Sequence, residues 1–160
     1  MKTHLVLTLI TATFLASCAA PVNVTSTRSS RFTAGRQNQG GTVCLLTSGT
    51  VVDSMGGAST TDLGDIGVTQ TAAVSQRMQR VGMSMAGSPL TADYGMSLFM
   101  SQASSNNKLE LNMKAEFMEM QGGLPGPVLW RGTAKTTTSD TARTAGESAM
   151  VKSLMSKFPN

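Results

Sequence analysis

Leu109-Glu110-Leu111-Asn112-Met113-Lys114-Ala115-Glu116-Phe117 alternates apolar and polar side chains without a break. A period of two is the signature of a strand with one face on a core and the other in water. On its N-terminal side, Ser104-Ser105-Asn106-Asn107 is a turn signal. Before that turn, Tyr94, Met96, Leu98 and Met100 alternate with Gly95, Ser97, Phe99 and Ser101, a second half-buried strand. On the other side, Gly122-Gly123-Leu124-Pro125-Gly126-Pro127 turns the chain into a third strand, Val128 to Thr138. Three successive strands joined by short turns predict an antiparallel meander.

Outward from the meander, Val43 to Leu46 reads as a strand covered on both faces, with Thr50-Val51-Val52 extending or following it. Gly56, Gly57 and Ser59-Thr60-Thr61 interrupt. A helix is predicted from about Ile66 to Arg80, capped by Asp62 or Asp65, with Ala73, Val74, Met78 and Val81 on its apolar stripe and Gly82 as its stop. Met83 to Pro89 reads as a connector. The last helix, from about Thr141 to Lys157, sets Met150, Val151, Leu154 and Phe158 on one stripe before Pro159. The expected fold is a two-layer α/β domain: a mixed, largely antiparallel sheet of about four strands, two helices on one face, order β-α-β-β-β-α. The other face is expected to meet water.

At 160 residues the chain suits one domain, and with 40% apolar residues it can bury a core. Only 4% are aromatic while 12 are Met, which predicts a soft core lacking large rigid rings. No apolar run reaches the roughly 20 residues of a membrane-spanning helix. Attachment by another route is legible at the N-terminus. Met1 to Ser17 has a basic Lys2, an apolar run from Leu5 to Leu15 and small residues leading to Cys18, the layout of a signal peptide that is removed. Leu15-Ala16-Ser17-Cys18 resembles the lipobox of bacterial lipoproteins, which implies cleavage between Ser17 and Cys18 and acyl chains on Cys18, palmitate among them. Ala19 stands where an Asp in that family commonly signals inner-membrane retention, so the resemblance implies the periplasmic face of the outer membrane. Cys44 is then left without a partner, in an apolar stretch, and reads as a small buried side chain in a strand.

Residues 18–41 are rich in Ser, Thr, Gly and Arg, lack acidic side chains and read as the lipidated cysteine plus a flexible tether, with the domain at 42–160. Arg28, Arg31 and Arg36 supply the positive excess of the mature chain, because residues 42–160 balance nine basic against nine acidic side chains. A balanced domain has no counterion-releasing basic face, so nucleic acid is not an expected partner.

The one histidine, His4, lies in the signal segment. Histidine-based nucleophile systems and zinc sites are therefore outside the mature chain's means, and one free Cys does not make a thiolate cage. Glu110 and Glu116 share a strand face but stand six residues apart, roughly 20 Å at strand rise, too far to flank one bond. Ser105-Asn106-Asn107-Lys108 has the Ser-x-x-Lys spacing of penicillin-interactive enzymes but sits in a turn without companion motifs. No catalytic residue, metal site or cofactor is expected.

What remains is a surface for binding. Met83 and Met85 in the connector, and Met118 and Met120 where the parity of the long strand changes, are the thioethers that core filling explains least. With Trp130 and Arg131 they form the candidate binding surface, although Trp130 reads most simply as a core anchor with its strand neighbour Arg131 on the wet face. Leu129-Trp130-Arg131-Gly132-Thr133-Ala134, followed by Met150-Val151-Lys152-Ser153-Leu154-Met155 and Phe158-Pro159, resembles the C-terminal half of a family of small envelope lipoproteins known only as a domain of unknown function. That resemblance implies a fold and an envelope location and carries no catalytic residue. The leading expectation is a non-enzymatic outer-membrane lipoprotein that binds or helps assemble another envelope protein. The alternative is a carrier of lipid or another hydrophobic ligand in a Met-lined cleft between helices and sheet.

Overall fold

The computed structural model describes residues 21–32, 40–46, 51–52, 58–59, 64–105 and 108–160. The signal segment, Cys18, Asp62 and the turn residues Asn106 and Asn107 lie outside them. In chain order the strands are β1 (Asn23–Arg28), β2 (Thr42–Leu46), β3 (Val51–Val52), β4 (Ala58–Ser59), β5 (Ser84–Met85), β6 (Tyr94–Ser105), β7 (Lys108–Gln121) and β8 (Leu124–Thr138). Helix α1 (Gly64–Arg80) falls between β4 and β5, and α2 (Arg143–Lys157) follows β8.

The alternating stretch lies inside β7, antiparallel to β6 on one side and β8 on the other, as the meander requires. Leu109, Leu111, Met113, Ala115 and Phe117 are all 3% exposed or less. Around this meander the sheet is larger than expected. It has six strands, not about four, in the order β1-β8-β7-β6-β2-β5, and β3 and β4 pair separately.

Both added edges have a physical reason for escaping a pattern search. β1 runs antiparallel to β8 from Asn23↔Lys135 to Arg28↔Trp130, within the segment read as tether. Its residues are almost all exposed, so main-chain hydrogen bonds hold it and no apolar alternation marks it. Just beyond it, Phe32 is buried in the core at 4% exposure. β5 pairs through two residues only, Thr42↔Ser84 and Val43↔Met85, too few to show a period. β2 is parallel to both β5 and β6, with α1 in the crossover between them.

Both helices share one core with the sheet. α1 buries Val74 and Met78 and ends where Gly82, at φ +83°, lets the chain turn back. Met83 N–H donates to the Met78 carbonyl at 2.9 Å and Gly82 N–H to the Gln79 carbonyl at 3.1 Å, a Schellman ending whose flanking methionines are both buried. Asp65 falls inside the first turn of α1, so it is not the residue flanking the helix. α2 buries Met150, Val151, Leu154 and, just past its end, Phe158.

The expectation of a core without rings is corrected. Aromatic side chains are few but gathered: Phe117 lies 5.1 Å from Tyr94 and from Phe158, and 5.9 Å from Phe32, while Trp130 meets Phe158 edge-on at 5.1 Å. Such edge and offset pairs add to the burial of the rings themselves.

Candidate functional site

The six residues proposed as a binding surface do not come together. Trp130 is 1% exposed and Met83 3%, both inside the layer between sheet and helices, and Met85 packs against that core from β5. Met118, Met120 and Arg131 belong to the opposite face. Met118 stands directly across from Gly95, whose neighbour Met96 points into the core, so Met118 faces away from the helices.

On that outer face the register writes out rows. One row runs Cys44–Gly95–Met118–Val128 across four strands. A Cβ on Gly95 would meet Leu46 Cδ1 and Met120 Sδ, each at 2.8 Å, so these two side chains roof the glycine from either side. The next row runs Leu46–Ser97–Glu116–Arg131–Thr27 and the one after it Phe99–Lys114–Thr133–Thr25, while beyond them Ser101–Asn112–Lys135–Asn23 is polar throughout. Apolar side chains on this face thus gather toward one end of the sheet, with Phe99, 38% exposed, standing alone in its middle.

That end is built by two slips of the β7–β8 ladder. Phe117 pairs with Trp130, but Met118 pairs with Val128 and Met120 with Pro125. The first slip leaves Leu129 as an extra residue, which tucks in beside Trp130 at 0% exposure. Met118 keeps the outward parity of the even residues of β7 and is buried there at 6% exposure. At this end two leucines that the sequence reading passed over are exposed, Leu90 by 75% and Leu124 by 70%. Leu90 lies over Gly123, where a Cβ would come within 2.5 Å of its Cδ2, and Gly123 itself turns at φ +84°. A leucine inside a Gly-Pro turn was the signal available for Leu124.

Charge on the outer face is organised around Glu116, which receives Lys114 Nζ at 2.8 Å and Arg131 Nε at 2.7 Å. Burial alone would raise the Glu116 carboxyl, but the hydrogen bonds and charges of Lys114 and Arg131 outweigh it and hold it below the ordinary glutamate value. Arg131 is therefore a register pin as well as a surface cation. Asp93 ties the parallel pair together: its Oδ2 accepts from Thr42 N–H at 2.9 Å and Thr42 Oγ1 at 2.8 Å, which hold its carboxyl low.

A groove of about 630 Å³ between the helices is lined by Arg77, Arg80 and Lys152 with Ala72, Met155 and Ser156. It resembles an anion site only by count of cations. Arg77 and Arg80 occupy the last turn of α1, where carbonyl ends already favour positive charge. Arg77 Nη2 donates to the Phe158 carbonyl and to Asn160 Oδ1, joining α1 to the chain that leaves α2. Desolvation, then the neighbouring Arg80, lower the Arg77 pKa.

Met78, Met96, Met113 and Met150 are 1% exposed or less. The space between helices and sheet that a carrier would leave for its ligand is occupied by these side chains. Cys44 is buried and free, on the outer face of β2. Among the described residues no three His, Cys, Asp or Glu side chains converge.

No family model matches the chain, and no curated relative does. Solved structures do share its fold. A DUF4136 family protein from Bacteroides thetaiotaomicron superposes with a TM-score of 0.56 at 12% identity, covering 85% of this chain and 95% of that one. The PelC dodecamer from Paraburkholderia phytofirmans gives 0.50 at 12% identity, with 85% and 96% covered. A DUF330 protein from Xanthomonas campestris gives 0.45 at 11% identity, with 74% and 81% covered. The first two likenesses establish the fold, which is shared with a protein of the DUF4136 family.

Proposed function

We propose that this chain is a non-enzymatic lipoprotein, held by acyl chains on Cys18 at the periplasmic face of the outer membrane, that presents the outer face of its sheet to another envelope protein. One observation carries the reading. The helix face of the sheet is sealed by a packed core, whereas among the described residues no helix covers the outer face, which gathers the half-buried Leu46, Met120 and Val128 around the buried Met118 beside a charged row toward one end. An apolar patch bordered by charge suits a protein partner, since the apolar centre supplies burial and the rim supplies register. PelC, similar in fold, is described as a dodecamer, which supports further copies of this chain as one form of that partner.

The test places a photo-crosslinking side chain at Met120 or Arg131 on the outer face, and at Ala72 or Lys152 on the helices, in cells. Discrete adducts from the outer-face positions alone, lost on Cys18→Ser, are the expected result. Adducts from the helix positions alone, or none from either face, overturn the reading. Cys18→Ser on its own should shift the protein from the membrane fraction to the soluble one.

A further inference from the structure

The tether is far shorter than its composition suggests, and this has a consequence for how the domain sits. Thr136 Oγ1, on a side chain 5% exposed, donates to the Pro21 carbonyl at 3.2 Å. Two residues later β1 begins its ladder at Asn23↔Lys135, and Val22 and Val24 pack against the core. The chain is therefore fastened to the domain three residues after Cys18. Three residues extend to about 11 Å at most, whatever their conformation. The polar zone on each side of a bilayer is itself about 5–7 Å deep, half the difference between its full and hydrocarbon thickness.

We infer that the end of the sheet carrying Asn23, Lys135 and Thr137 rests on phospholipid headgroups, an orientation that depends on the acylation of Cys18 proposed above. The surfaces agree with this placing. Asn23, Lys135 and Thr137 are exposed and polar, as are Lys108, Glu110 and Asp140 at the same end, where β7 begins and β8 leads to α2. Hydroxyl, amide and ammonium groups exchange water for headgroup oxygens at little cost, and the carboxylates of Glu110 and Asp140 find the ammonium of phosphatidylethanolamine. The exposed Leu90 and Leu124 are at the other end of the sheet. Thr137 pairs with Glu110 and Leu124 with Gln121, so the two ends stand eleven residues apart along β7, or about 37 Å at antiparallel rise. A short fastening at one end thus holds the apolar end out in the periplasm, where a protein partner and not the bilayer meets it.

The experiment uses the full lipidated protein in vesicles of phosphatidylethanolamine and phosphatidylglycerol with nitroxide on a fraction of headgroups. Thr137→Cys and Leu124→Cys, each in a Cys44→Ser background, carry a fluorophore. The label at 137 should lose more than half its emission, and the label at 124 less than a tenth. Equal quenching, or stronger quenching at 124, overturns the orientation. Twelve Gly-Ser residues inserted between Ala20 and Pro21 should restore most of the emission at 137 while the protein still floats with the vesicles. Undiminished quenching in that variant overturns the role given to tether length. The mass of the N-terminal peptide separates the two proposals: an unmodified Cys18 in protein that fails to float removes the lipidation and the orientation together, whereas an acylated Cys18 with the wrong quenching pattern removes the orientation alone.

Discussion

The β7–β8 ladder is two structures in one. From Leu109↔Thr138 to Phe117↔Trp130 it keeps one register through nine successive pairs; from there to Gln121↔Leu124 it slips twice. In the regular part, alternation decides everything: odd residues of β7 meet the helices and even residues meet water. In the slipped part, Leu129 joins the core out of turn, while Met118 keeps its outward place opposite a displaced β8. The regular half makes the fold, and the irregular half makes the surface by which we propose the protein acts. Bulges spend ladder bonds to re-aim side chains, which is a reason to find them where binding rather than stability is served.

The sharpest way to break the comparison is at its hinge, Phe117, the last residue of the regular register and the centre of the ring cluster. Phe117→Ala should cost about 3–5 kcal/mol, read from urea denaturation of the mature protein, because three ring neighbours lose their partner in a core that cannot refill. A second test sets the two faces against each other. A Cβ at Gly132 would stand 2.6 Å from the Trp130 ring and 2.9 Å from Leu154 Cδ2, with the ring locked beneath α2. Gly132→Ala should therefore destabilise by about 1–3 kcal/mol. At Gly95 the opposing atoms are the far ends of Leu46 and Met120, which can swing away toward solvent. Gly95→Ala should cost less than about 1 kcal/mol by the same measurement, and a cost equal to that of Gly132→Ala would show the outer face to be as rigid as the core.

The division also marks how far the sequence could be read. The meander, both helices and nearly every core residue of β6, β7 and α2 follow from periodicity, because burial on one face leaves a period in the residues. Trp130 as a core anchor is legible for that reason, and so is the buried, unpaired Cys44. β1 leaves no such trace, since an edge strand is held by main-chain bonds that any side chain permits. Its Ser, Thr and Arg residues are those of a linker, and only Val22, Val24 and Phe32 hinted otherwise. Of the candidate surface, the change of parity at Met118-Glu119-Met120 was visible, but not which residues it would gather. Met83 and Met85 were grouped with them on residue type, and the Schellman ending of α1 places Met83 inside. Leu46 and Val128 join through cross-strand register, which a single strand's sequence does not contain.

Two smaller predictions test the polar contacts that border the slipped end. Asp93 fastens the first residue of β2 to the start of β6, so Asp93→Ala should cost about 1 kcal/mol; the carboxylate's hydrogen bonds would rank higher were Asp93 not exposed. Below it ranks Glu116, which with Arg131 forms the last charged row before the register slips. Both partners are solvated, with Arg131 51% and Lys114 43% exposed, so Glu116→Gln should cost only about 0.2–1 kcal/mol at pH 7. Its pH dependence is the more telling readout. The folded-state carboxyl titrates below its unfolded counterpart of about 4.3, so its contribution is complete above that value and is lost as pH falls through the lower, folded one. The stability gap between wild type and Glu116→Gln should accordingly be flat from pH 7 to about 5 and close on further acidification. A gap that persists unchanged at pH 2 would mean that shape and not charge holds this row, and that the register is pinned by Phe117 and Trp130 alone.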